Sequence, residues 1–234
     1  MQLSSLFLLL GLSTFTSWAH LLTPDEPRDV PPSVEDLSAR AVPKTIKVQP
    51  WPGLAGSTKY DRTYYADLGV TFIVPTDADI ITYAEKGYEY MMADLGLDNQ
   101  GFLLSDSKKR GDKADYLMAA LYIPKVGVFL CSIPQPVAKK YITANAATEA
   151  PALWSQIHNR TPAGSAHAED GAAYRYEMGM KTKLAAGARY PEGSLIRVFG
   201  SFGGKKAEPQ GLCQTGGKID PACSPVFTNL GVTH

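Results

Sequence analysis

A chain of 234 residues with 44% apolar content is long enough to bury one sizeable core. Lysine plus arginine and aspartate plus glutamate balance at 23 each, which excludes bulk electrostatic attraction to a nucleic-acid backbone as the main binding force. No stretch reaches the roughly 20 apolar residues that a membrane span needs, so no membrane partner is expected.

Residues 1–19 carry no charged side chain, hold an apolar run at 6–10 and close on Ser17-Trp18-Ala19. This is the pattern of a secretory signal peptide, with His20 as the mature N-terminus. A secreted product makes Asn159-Arg160-Thr161 a usable glycosylation sequon at Asn159. Residues 20–45 place Pro24, Pro27, Pro31 and Pro32 among charged residues, a composition that reads as a flexible arm. Residues 46–234 are expected to form a single domain.

Within that domain, a short apolar segment over residues 45–53 ends in the turn Trp51-Pro52-Gly53, and residues 68–74 read as a buried strand or irregular core segment. Thr76 opens the clearest helix. Asp79 stands three residues on as the second half of a capping box, and Ile80, Tyr83, Ala84, Tyr88, Met91 and Leu95 recur at helical spacing until Asn99-Gln100-Gly101. Residues 105–113 form a basic loop, with Lys108-Lys109-Arg110 read as solvated, like Lys139-Lys140 and Lys205-Lys206. Two apolar runs, 116–123 and 126–133, flank Pro124-Lys125 and predict an antiparallel hairpin that Pro134 and Pro136 end.

A short helical turn at 152–157 carries Trp154. Ser165 then caps a helix to about Met178, with Ala172, Ala173 and Tyr176 facing inward. Pro191-Glu192-Gly193 is a turn before a strand at 195–202. A glycine-rich loop, 203–217, leads to a terminal helix opened by Asp220-Pro221. The order helix, strand, strand, helix, strand, helix predicts an α/β domain of three layers with a small mixed sheet.

Three cysteines are an odd number for a secreted chain, which leaves a free thiol, a metal ligand or an intermolecular partner. His167, Cys213 and Cys223 suggest zinc, because imidazole and thiolate are its preferred ligands and three of them leave one tetrahedral position open. A metal in such a site acidifies a water, and Glu169 is close enough in sequence to shuttle its protons.

Ala166-His167-Ala168-Glu169 before a helix, a strand after it, and Pro221-Ala222-Cys223 followed by Phe227, Leu230 and Gly231 resemble the toxin-type secreted branch of the cytidine deaminase-like superfamily. The resemblance covers about half the chain, from Tyr116 to the end, with the helix at Thr76 matching the family's first helix. It implies zinc bound by His167 and Cys223, Glu169 as general acid/base, and hydrolytic deamination of a nucleobase, nucleoside or single-stranded nucleic-acid base. Two features depart from the family's pattern. Cys213 precedes Cys223 by nine intervening residues instead of two, with Asp220 where the first cysteine would fall, so the third ligand is Cys213 or Asp220. The sequence also ends at His234, before the family's later strands and helix, which predicts a smaller sheet with an exposed edge.

Other readings stand beside this one. A Cys213–Cys223 disulfide would leave a non-catalytic secreted effector on the same scaffold, binding a host or competitor protein. Cys131, in an apolar run, reads as an inert buried thiol or a disulfide partner of Cys213. Trp154, Tyr174, Tyr176 and Phe199 read either as core or as a base-stacking pocket. His20, once N-terminal, offers an amine and an imidazole to copper as in the lytic polysaccharide monooxygenases, but the helices at Thr76 and Ser165 contradict the β-sandwich of those enzymes.

Overall fold

The apolar run at Tyr116–Ile123 can be satisfied only by burial on both of its faces. In the computed structural model its side chains alternate strictly: Tyr116, Met118, Ala120 and Tyr122 enter one hydrophobic core, and Ala119, Leu121 and Ile123 enter another on the opposite face. The structure describes residues 42–43, 45–54, 58–69, 73–111, 115–161, 165–213 and 220–234, with backbone only at 107–110. The signal segment, His20, nearly all of the 20–45 arm and residues 214–219 before Asp220 lie outside the described residues.

In chain order the elements are β1 (Gln49–Pro50), β2 (Tyr64–Leu68), α1 (Asp77–Leu95), β3 (Phe102–Leu103), β4 (Asp106–Arg110), β5 (Tyr116–Ile123), β6 (Gly127–Ser132), α2 (Pro136–Glu149), α3 (Pro151–Ile157), α4 (Ala168–Gly179), β7 (Leu195–Ser201), β8 (Glu208–Gln210) and α5 (Cys223–Asn229). The main sheet has six strands in the order β1-β2-β6-β5-β7-β8. Every neighbouring pair is antiparallel, which corrects the expected mixed sheet. The reason is topological. Three helices carry the chain from β6 to the far edge of β5, where β7 runs against β5 and β8 folds back on β7 as a hairpin. The fold class is therefore α/β, with an open antiparallel sheet.

α1 covers one face. Thr76 and Asp79 form the expected capping box, with the Thr76 N–H donating to Asp79 Oδ2 at 2.7 Å. Its buried side chains include all six read from the periodicity, with Met92 added. The helix stops at Leu95, earlier than Asn99-Gln100-Gly101, because Gly96 takes the left-handed conformation (φ 70°) that closes a helix.

The other face is covered by α4, with α2, α3 and α5 packed around it. Gly171 lets α4 settle on the sheet: a Cβ there would fall inside contact of the Cys131 sulfur and 3.1 Å from its Cβ. Three further boundaries differ from expectation. Of residues 68–74, expected as a buried strand or irregular core segment, Leu68 is the last residue of β2, Gly69, Ile73 and Val74 are exposed, and 70–72 lie outside the described residues. The basic loop at 105–113 contains β4, which pairs with β3 just before it as a hairpin. α2 follows directly where the chain was expected only to break, with Pro136 at its first turn, where a missing N–H costs nothing. Among the described residues no helix is long and apolar enough to cross a membrane.

Candidate metal centre

α4 begins at Ala168, so the residue that caps it is His167 and not Ser165. His167 is extended (φ −103°, ψ 174°), and its N–H donates to Asp170 Oδ2 at 2.8 Å. This reach of an acidic side chain back from the third helical position satisfies an N–H and orients the start of the helix. Glu169, in the same first turn, is only 5% exposed yet lines the cleft that His167 lines. Burial pushes its carboxyl up to about 7, although the neighbouring His167 lowers it.

Cys213 follows β8, and Cys223 is the first residue of α5, whose N-cap is Ala222 and not Asp220. The two segments dock through the backbone: the Ser224 N–H donates to the Cys213 carbonyl at 3.0 Å, and the Cys223 N–H donates to Cys213 Sγ at 2.9 Å. His167 Nδ1 lies 2.9 Å from Cys223 Sγ and 3.5 Å from Cys213 Sγ. The three candidate donor atoms all fall within 4.8 Å of one another. All three cysteines of the chain are free, and Cys131 is the buried thiol of the inert reading, raised well above the ordinary thiol range by burial.

Hydrogen bonding from Cys223, with help from His167, pulls the Cys213 thiol far below its usual value, while the Cys223 thiol is pushed up by that same contact and by burial. Cys213 is thus the first of the pair to lose its proton. A thiolate is the form that binds metal, and one imidazole nitrogen with two sulfurs is a donor set that suits zinc with one position left over. The residues fit a metal ion. Asp220, the other candidate third ligand, is exposed and does not join the group; its backbone pairs with Thr161 through two hydrogen bonds of 2.6 and 3.0 Å.

His167, Glu169 and Cys213 open onto a cleft of ≈ 590 Å³, inside the range of about 300–1,000 Å³ usual for small-molecule sites. Cys223 lies behind them, fully buried. Asp115, Lys139, Phe202 and Gln210 also line the cleft. None of the four aromatics singled out from the sequence lines it: Tyr174, Tyr176 and Phe199 are buried in the cores, and Trp154 packs against one of them. The aromatic of the cleft is Phe202, at the end of β7 and 57% exposed. Its turn is held by Asp115, whose Oδ1 accepts the Gly203 N–H at 2.6 Å.

Behind the ligands lies a buried ion pair that sequence reading did not single out. Arg160, the middle residue of the sequon, pairs with Asp170, and neither side chain is more than 1% exposed. An arginine between two exposed neighbours carries no local signal of burial. Comparisons with protein-family models, with curated proteins and with solved structures gave no match for this chain.

Proposed function

We propose that this chain is a secreted, zinc-dependent hydrolytic deaminase acting on a nucleobase, nucleoside or single-stranded nucleic-acid base. The observation that carries the reading is the convergence of His167, Cys213 and Cys223 within 4.8 Å, beside Glu169 on a shared open cleft. His167, Cys213 and Cys223 would hold the ion. When bound, zinc would polarise a water in the remaining position and bring its pKa from 15.7 toward about 7.

The chain's own residues supply the rest of the chemistry. Glu169 is placed by the first turn of α4 to take a proton from the attacking water and deliver it to the ring nitrogen of an amidine. It then passes a proton to the exocyclic amine, which departs as ammonia while the ring carbon gains oxygen. Low solvent exposure around Glu169 keeps that proton from exchanging freely with bulk water. Phe202 offers an exposed ring to a planar substrate, and Lys139 and Asp115 offer one charge of each sign to the same cleft.

Ammonia release from a panel of free bases, nucleosides and single-stranded oligonucleotides, measured with the zinc-loaded protein and with Glu169→Ala, tests the assignment. Turnover by the parent and none by the variant, with zinc retained in both, is the expected outcome. Equal ammonia release by both would remove Glu169 from its role, and no release by a fully zinc-loaded parent would favour the non-catalytic effector.

A further inference from the structure

We propose that Arg160 is the positioning residue of this metal site, joining the segment that presents His167 to the segment that presents Cys223. The inference rests on the metal reading above and concerns what holds its ligands in register.

The guanidinium touches both segments at once. Its Nη1 donates to the Ser165 carbonyl at 3.0 Å, two residues before His167, and to Asp170 Oδ2. That same Asp170 oxygen accepts the His167 N–H at 2.8 Å. On the other side, Arg160 Nε donates to the Pro221 carbonyl at 2.9 Å, two residues before Cys223. A continuous path of hydrogen bonds therefore runs from the Pro221 backbone through Arg160 and Asp170 to the His167 backbone. Thr161, the next residue along, pairs its backbone with Asp220 and closes the same two segments from the outside. Without these contacts, the starts of α4 and α5 would be joined, among the described residues, only through the candidate ligands themselves, His167 Nδ1 to Cys223 Sγ and Cys213.

The arrangement is also an expensive way to hold a fold together. Arg160 Nη2 and Asp170 Oδ1 are buried with no hydrogen-bond partner, so the pair is not fully satisfied. A buried ion pair of this kind is often no more stable than apolar residues of similar volume would be. Its distinctive property is directional: the planar fork of arginine fixes two carbonyls and a carboxylate in one geometry, which a point charge such as lysine cannot do. Partners that orient ligands from behind typically change metal affinity 10- to 100-fold when removed.

The test uses the full chain with Arg160→Lys, Arg160→Met and the isosteric Asp170→Asn. Zinc affinity is read by competition with a chromophoric chelator, the thiolate-to-metal charge-transfer bands are read after loading with Co²⁺, and the thermal midpoint is read without metal. The expected result is a 10- to 100-fold loss of zinc affinity in both Arg160 variants, altered Co²⁺ bands, and no rescue by lysine. A purely structural arginine would lower the metal-free midpoint while zinc affinity and Co²⁺ bands stay as in the parent; that result in Arg160→Lys overturns the proposal. Failure of all three variants to yield a folded chain assigns the pair to the fold and overturns it equally. A parent that binds neither zinc nor Co²⁺ defeats the metal reading itself, an outcome distinct from a parent that binds and variants that match it.

Discussion

The Cys223 N–H donates to Cys213 Sγ at 2.9 Å, although nine residues separate the two cysteines. A helix start thus captures the sulfur of a distant segment by a backbone donor, and His167 Nδ1 completes the group. The isolated protein should therefore hold one zinc ion. Cys213→Ser and His167→Ala should each reduce zinc to well below stoichiometric, as read by elemental analysis after dialysis against a weak chelator. Mass spectrometry of the parent with alkylated thiols should show no Cys213–Cys223 bond; finding that disulfide with no metal would replace the enzyme reading with the binding-module reading.

Phe202 separates binding from stability. The side chain is 57% exposed, so Phe202→Ala should leave the unfolding free energy within about 0.5 kcal/mol of the parent. Stacking of a base on an aromatic ring is worth about 1–3 kcal/mol, so KM should rise roughly 5- to 150-fold with kcat little changed, and Phe202→Trp should restore it. An unchanged KM in the alanine variant would place the substrate elsewhere in the cleft.

The close approach of α4 to the sheet predicts a coupled pair. Gly171→Ala forces a methyl group against the Cys131 sulfur and should cost about 1–3 kcal/mol by overpacking. In Gly171→Ala with Cys131→Ala the space left by the sulfur accepts the new methyl, so the double variant should be more stable than the sum of the single effects implies. Urea unfolding of the four proteins measures the coupling; strict additivity would mean that the helix relaxes away from the strand at no cost.

Glu177 is a cap supplied across space. Its carboxylate oxygens accept the Ala152 N–H at 3.0 Å and the Leu153 N–H at 2.8 Å at the start of α3, and Oε1 also accepts the Tyr190 hydroxyl at 2.8 Å. Glu177→Ala strands two buried N–H groups and should destabilise the chain by about 3 kcal/mol. Burial holds the Glu177 carboxyl above its ordinary 4.5, so the folded chain binds this proton more tightly than the unfolded chain does. Its contribution to stability is then greatest below the ordinary value and declines as pH rises through the raised one. Denaturation curves across that window should show a downward slope in the parent that is shallower in Glu177→Gln, the remainder coming from Glu169, whose carboxyl burial also raises; parallel pH profiles would refute the assignment.

The elements that reading the sequence recovered are those whose cause is local. α1 declares itself because large apolar side chains recur at helical spacing behind a threonine–aspartate box, and β5 because eight residues in a row are nearly all apolar between turn signals. α2 escaped because its buried positions, Ala138, Ile142 and Ala146, are mostly small and give little contrast with the exposed positions around them. β8 escaped because three residues with an exposed glutamate and a proline look like loop, and only pairing with β7 makes them a strand.

For the site, the sequence alone determined that His167 and Glu169 stand together at the head of one helix, since covalent geometry holds two residues so close in the chain side by side there. It also determined that a cysteine pair was at issue. Tertiary structure decided that Cys213 and not Asp220 joins the group, that every strand pair in the main sheet is antiparallel, that Phe202 and not the core aromatics faces the cleft, and that Arg160 lies buried against Asp170. Each of these depends on which segments meet after long connections close, and that is governed by the packing of α4 and α5 on the sheet, which no short window of sequence contains.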